Sequence, residues 1–170
     1  MKNCKRFLPS AIIILSLLLL IGATSAIAQR TASVTGVWSS TATWGGSSVP
    51  TSSDAVTVNA GITVTVDVST AVCASVQLCN ATNGTATMTF NSGSKVTVGG
   101  TVAFGAGNIQ RLGAVNMASG GTLICTGFVQ NQAPTWTPGT GTVEFTATNT
   151  IPSGFLSFNN LTITSGTTTL

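Results

Sequence analysis

Residues 56–66 read VTVNAGITVTV, and residues 88–98 read MTFNSGSKVTV. Both runs carry glycine in sixth place and apolar side chains at places one, three, nine and eleven. A third run, VNMASGGTLIC at 115–125, keeps the pattern around Gly120. A fourth, LTITSGTTTL at 161–170, starts the same way around Gly166, but its next apolar residue falls one place late. Alternating apolar and polar residues present one set of side chains to each face of a strand. The phrase therefore reads as strand, tight turn, strand. Val56, Val58, Val64 and Val66 are expected to face inward, with Thr57, Thr63 and Thr65 outward. Gly61, Gly93, Gly120 and Gly166 are assigned to the turns, where glycine allows positive φ, and Asn59 and Asn91 beside them tolerate turn geometry.

At an offset of 27 residues Met88 matches Val115, Phe90 matches Met117, Val96 matches Leu123 and Val98 matches Cys125. The same offset carries on to match Gly100 with Gly127 and Val102 with Val129. Other strand-like pieces fill the intervals, at 75–78, 101–104, 142–145 and 156–158. A recurring period of this size points to a solenoid, in which each coil buries the apolar stripe of its neighbour. The expected fold is all-β, a right-handed parallel β-helix with Gly61, Gly93 and Gly120 aligned along one corner. An antiparallel β-sandwich is the alternative, since it also consists of short alternating strands. The offsets between phrases, 32, 27 and 46 residues, are uneven and imply loops of different length.

The first residues are of another kind. Lys2, Lys5 and Arg6 precede an apolar run from Phe7 to Ile21, and Ala26-Ile27-Ala28 forms a small-residue cleavage site. Residues 1–28 read as a cleaved signal peptide, which implies a secreted or cell-surface location and no membrane span after cleavage. Residues 29–54, with Trp38, Trp44 and Pro50, do not follow the repeat and are expected to cap the coils that occupy 55–170. Ending inside a strand phrase, the sequence reads as the N-terminal piece of a longer protein.

Charge and chemistry narrow the function. Beyond residue 28 only Arg30, Lys95 and Arg111 stand against Asp54, Asp67 and Glu144, a net of zero. Nucleic-acid binding needs a basic footprint that this balance does not provide. With no histidine, a Ser/His/Asp device is excluded and a metal site is not expected. The three carboxylates belong to separate repeats, so no pair is positioned for glycoside hydrolysis. Asp54 is read as a turn or cap residue, Asp67 as a solvated turn residue and Glu144 as outward-facing. No cofactor is expected. Export permits disulfides, but Cys73, Cys79 and Cys125 are an odd number, and a Cys73–Cys79 bridge would require a bend in the strand between them. Cys125 occupies an inward place and reads as a small buried hydrophobe.

GVWSSTATWGGSSVPTSSDAVTVNAGITVTVD, residues 36–67, resembles the start of the eight-glycine domain and related modules of large exported bacterial surface proteins. Residues 138–170, with Gly-Thr-Val-x-Phe leading into Phe-x-Asn-Leu-x-Ile, resemble another segment of such proteins. The resemblance implies type IX secretion, although these residues contain no sorting domain, and a β-helical stalk or adhesin-like role without a catalytic motif. The expected function is thus a cell-surface structural or adhesin-like segment, with surface glycans or other cell-surface proteins as partners. The alternative is a carbohydrate-binding accessory region of a larger polysaccharide-active enzyme. For that role Trp136, expected in a loop between Pro134 and Pro138, is the candidate glycan contact, while Trp38 and Trp44 are expected to pack in the cap. Ice binding is a third reading, suggested by outward Thr57, Thr63 and Thr65, with the uneven offsets expected to break the spacing such a face needs.

Overall fold

Residues 27–169 are described by a computed structural model; most of the expected signal peptide, residues 1–26, lies outside them. Apart from one 3-10 turn (Thr41–Trp44), the regular elements are short strands gathered into three five-stranded sheets and one two-stranded ladder. Sheet I holds β1 (Gln29–Ala32), β3 (Ala55–Val58), β6 (Ser75–Leu78), β9 (Thr101–Phe104) and β12 (Gly127–Gln130). Sheet II holds β2 (Gly36–Val37), β4 (Thr63–Val66), β7 (Gly84–Phe90), β10 (Arg111–Asn116) and β13 (Thr135–Thr137). Sheet III holds β5 (Ala71–Cys73), β8 (Lys95–Val98), β11 (Thr122–Cys125), β14 (Thr142–Phe145) and β16 (Asn160–Ile163). The remaining strands, β15 (Asn149–Thr150) and β17 (Thr168–Thr169), pair with each other.

From Ala55 to Phe145 the chain visits sheets I, II and III in rotation, four times over. The named strands pair in parallel, for example Val56 with Val76 and Val64 with Met88. A sandwich built of antiparallel neighbours is therefore excluded. Among the described residues consecutive strands do not pair directly, because each lies in a different sheet from the one before it.

Inward side chains stack in columns. In sheet I one column runs Arg30, Val56, Val76, Val102, Phe128 and another Ala32, Val58, Leu78, Phe104, Gln130. Sheet II contributes Val64, Met88, Val115 and Trp136. Sheet III contributes Ala71, Val96, Leu123, Val143 and Leu161. The middle members of these columns are buried. Each layer thus removes its neighbour's apolar face from water, as repeat architectures require. Bulk increases toward the C-terminal end, where Phe104, Phe128, Trp136, Phe145, Phe155 and Phe158 form one cluster.

The eleven-residue phrase recurs out of phase with the rotation through the sheets. Gly93 and Gly120 lie between strands of sheets II and III, but Gly61 lies between β3 of sheet I and β4 of sheet II, and Gly166 between β16 and β17. The expected single glycine column is thus corrected: Gly61 belongs to a different corner from Gly93 and Gly120. Each corner poses the same local problem, a sharp turn between two half-buried strands, so each accepts the same residues. Gly61 and Gly93 have φ of 77° and 72°, each in third place of a turn closed by a backbone bond, Ile62 N to Asn59 O at 3.2 Å and Ser94 N to Asn91 O at 3.1 Å.

The 27-residue match also ends sooner than expected. It holds for Met88 with Val115 and Val96 with Leu123. After β8 the corner is Gly99-Gly100, whereas after β11 it is Thr126 alone. Losing one residue shifts the offset to 26, so Val102 pairs with Phe128, and Val129 pairs with Ala103. A one-residue shift reverses the faces of a strand. Phe128 is buried as a result, and Val129 is 39% exposed.

Three smaller expectations change. Thr57 faces outward yet is buried, with its hydroxyl accepting a bond from Gln29 Nε2 at 3.2 Å. Residues 156–158 form no strand, and Leu156 is exposed. The segment 29–54 begins with β1 and β2, which extend sheets I and II, so it supplies strands as well as the cap-like loop that follows. In that loop Trp38 and Trp44 are buried edge to face at 5.1 Å, and Trp44 Nε1 donates to Trp38 O at 2.8 Å.

Candidate functional site

Trp136 is in β13, in register with Val115, and continues the inward column of sheet II. It is part-buried against Phe128, Phe155 and Phe158, and its indole N–H donates to Ser157 O at 2.7 Å. The flanking prolines suggested a loop; strand pairing puts the ring over the end of the core instead. Its polar handle is occupied by the backbone, and one side of the ring by the phenylalanines.

The carboxylates are dispersed. Asp54 is buried just before β3, where its Oδ2 accepts bonds from Thr51 N and Thr51 Oγ1, both at 2.8 Å, and lies 3.5 Å from Arg30 Nε. The Thr51 backbone N–H, then its hydroxyl, then the Arg30 charge hold the Asp54 carboxyl below its ordinary value, against an opposing effect of burial. Asp67 accepts Ser39 N at 3.0 Å and the Ser39 hydroxyl, tying the loop after β2 to the corner after β4. Glu144 faces outward in β14 and accepts from Thr164 Oγ1 at 3.1 Å. Among the described residues no three His, Cys, Asp or Glu side chains gather as a metal site would require.

Arg30 was legible only as a charge. Register puts it in an inward place at the N-terminal end of a sheet I column, above Val56, with buried Asp54 beside it. An inward charge at the edge of a sheet makes the pairing of a further apolar strand unfavourable there. The other end carries phenylalanine and tryptophan in the equivalent places. Its last sheet III strand, β16, leaves Leu161 and Ile163 39% and 46% exposed.

All three described cysteines are free and buried, so the Cys73–Cys79 bridge does not form. Cys73 is on sheet III and Cys79 follows β6 of sheet I. Burial pushes the Cys73 and Cys125 thiols up to about 12 and also raises Cys79. Cys79 has φ of 62°, an uncommon value for a side chain of this type, and its Sγ donates to Thr82 O and Gly84 O at 3.3 Å. These thiols are packing groups rather than nucleophiles.

The outer faces of the sheets differ. Sheet III presents Lys95 and Glu144 among its outward residues, and sheet I presents Gln29 and Gln77. Sheet II presents Thr63 and Thr65, Thr87 and Thr89, Asn116 beside the buried Ala114, then Thr135 and Thr137, in register. No protein-family model, curated protein or solved structure matches this chain. No helix among the described residues is long and apolar enough to cross a membrane.

Proposed function

We propose that the three sheets close into a right-handed parallel β-helix, and that this rod is a structural or adhesin-like segment of an exported bacterial surface protein. The observation that carries the reading is the fourfold rotation through sheets I, II and III with inward columns held in register. Such a stack is stiff along its axis, because bending it would open many backbone ladders together. Its elongated sides offer surface without requiring a pocket. The resemblance of residues 36–67 and 138–170 to surface-protein modules, and the signal-like residues 1–28, agree with export. The carbohydrate-binding alternative rests on Trp136, and it is less favoured because that indole N–H is already bonded.

The test is made in the producing cells. Protease shaving of intact cells should release peptides from residues 29–169, and deletion of the gene should weaken attachment of the cells to surfaces or to one another. Recovery of the protein only from the cytosol, or attachment unchanged on deletion, would overturn the proposal. Glycan-array binding that saturates and is lost in Trp136→Ala would favour the carbohydrate reading instead.

A further inference from the structure

The uneven coil lengths were expected to break any threonine array, but the ladder keeps register through them. Thr65, Thr89, Asn116 and Thr137 stand in one file across sheet II, although they are 24, 27 and 21 residues apart in sequence (65 to 89, 89 to 116, 116 to 137). Thr63, Thr87, Ala114 and Thr135 stand in a second file beside it. The extra residues of the longer coils are taken up between strands, as at 105–110, and leave the files undisturbed. Along each file the repeat is the strand separation, about 4.8 Å, and between files it is two residues of strand, about 6.6 Å.

We propose that this outer face of sheet II binds ice. Six of the eight positions are threonine. A β-branched threonine on a strand has restricted χ1, so its hydroxyl and methyl are set in place before any ligand arrives, which lowers the ordering cost of binding. The hydroxyls of Thr43, Thr51, Thr146 and Thr164 bond to protein atoms. Among the described residues no such bond engages the hydroxyls of Thr63, Thr65, Thr87, Thr89, Thr135 or Thr137, and none of them is a buried orphan. They are open to water. Water bound to these hydroxyls and packed around these methyls would take up the two regular spacings of the files, which is what lets such a face join a growing crystal.

Charge complementarity points to the same occupant. The two files contain no ionisable side chain. The ionisable groups at their margins are engaged elsewhere, Arg111 Nη1 with Asn80 O at 3.1 Å and Asp67 with Ser39. A neutral hydroxyl-bearing face suits a neutral lattice and offers nothing to a polyanion. The pairing of Lys95 with Thr122, and of Ile124 with Glu144, interrupts sheet III with charge, so that face lacks the property.

The test is inhibition of ice recrystallisation by the purified mature chain, with crystalline cellulose as a second neutral lattice. Activity is expected, with loss in Thr87→Lys/Thr89→Lys and a gain in Asn116→Thr, which completes the file of Thr65, Thr89 and Thr137. Thr97→Lys/Thr162→Lys on sheet III should retain activity. Circular dichroism of each variant separates loss of the face from loss of the fold. An inactive mature chain, activity that survives Thr87→Lys/Thr89→Lys, or adsorption to cellulose without any effect on ice would each overturn the proposal. Neither the attachment of cells nor protease release is expected to change in these variants, so the result is independent of the stalk reading.

Discussion

Phe128 and Val129 are adjacent, and one lost residue at the preceding corner decides which of them enters the core. Phe128 is 6% exposed, and its ring meets five others, Phe104 at 5.4 Å, Phe145 at 5.1 Å, Trp136 at 5.6 Å, Phe155 at 4.5 Å and Phe158 at 6.4 Å. Truncating such a side chain removes its transfer free energy and leaves a cavity, so Phe128→Ala should cost about 3–5 kcal/mol. Val129 is 39% exposed on the outer face, and Val129→Ala should stay within about 0.5 kcal/mol. In urea unfolding with a slope of about 1–3 kcal/mol/M, Phe128→Ala lowers the midpoint by about 1–5 M while Val129→Ala leaves it nearly in place. Equal costs, or a larger cost at Val129, would refute the register and with it the account of the aromatic cluster.

Three further outcomes follow from the geometry. The folded-state pKa of Asp54 lies below the ordinary 3.8, so its contacts stabilise the fold above that value, and the contribution is lost as pH falls through the lower folded value; Asp54→Asn should flatten this part of the acid-side decline in thermal unfolding. Cys73 and Cys125, with thiols pushed up to about 12, should resist iodoacetamide in the native protein at pH 8 and alkylate promptly in denaturant, as mass spectrometry can follow. Gly93 has φ of 72°, and a Cβ added there would meet nothing within 4 Å, so Gly93→Ala should cost about 1–2 kcal/mol from backbone conformation alone, and Gly93→Asn distinctly less, measured by the same urea midpoints.

Much of the local structure was legible in the sequence. The alternation in 56–66, 88–98 and 115–125 gave the inward residues of the strands correctly, because period-2 burial is written locally. The turn glycines were legible for the same reason: a tight turn constrains its own φ wherever it occurs. The outward orientation of Glu144 between Val143 and Phe145 followed from the same rule. The candidate site was less legible. Trp136 looked like a loop residue from its flanking prolines, yet pairing with Val115 carries it into an inward column. Arg30 gave no sign of being an inward charge, since its position depends on a partner strand 26 residues later, from Arg30 to Val56.

By itself, then, the sequence determined that this chain forms short, half-buried strands joined by glycine-bearing turns, with few charged residues among them. Tertiary structure alone decided which corner each phrase occupies, which residue lies above which, and that outward threonines from unevenly spaced strands form two files on sheet II. The physical reason is that strand and turn preferences act over a few residues, whereas register is set between paired strands far apart in sequence, where corner length and the fit of one apolar layer on the next select among phrases that are locally alike.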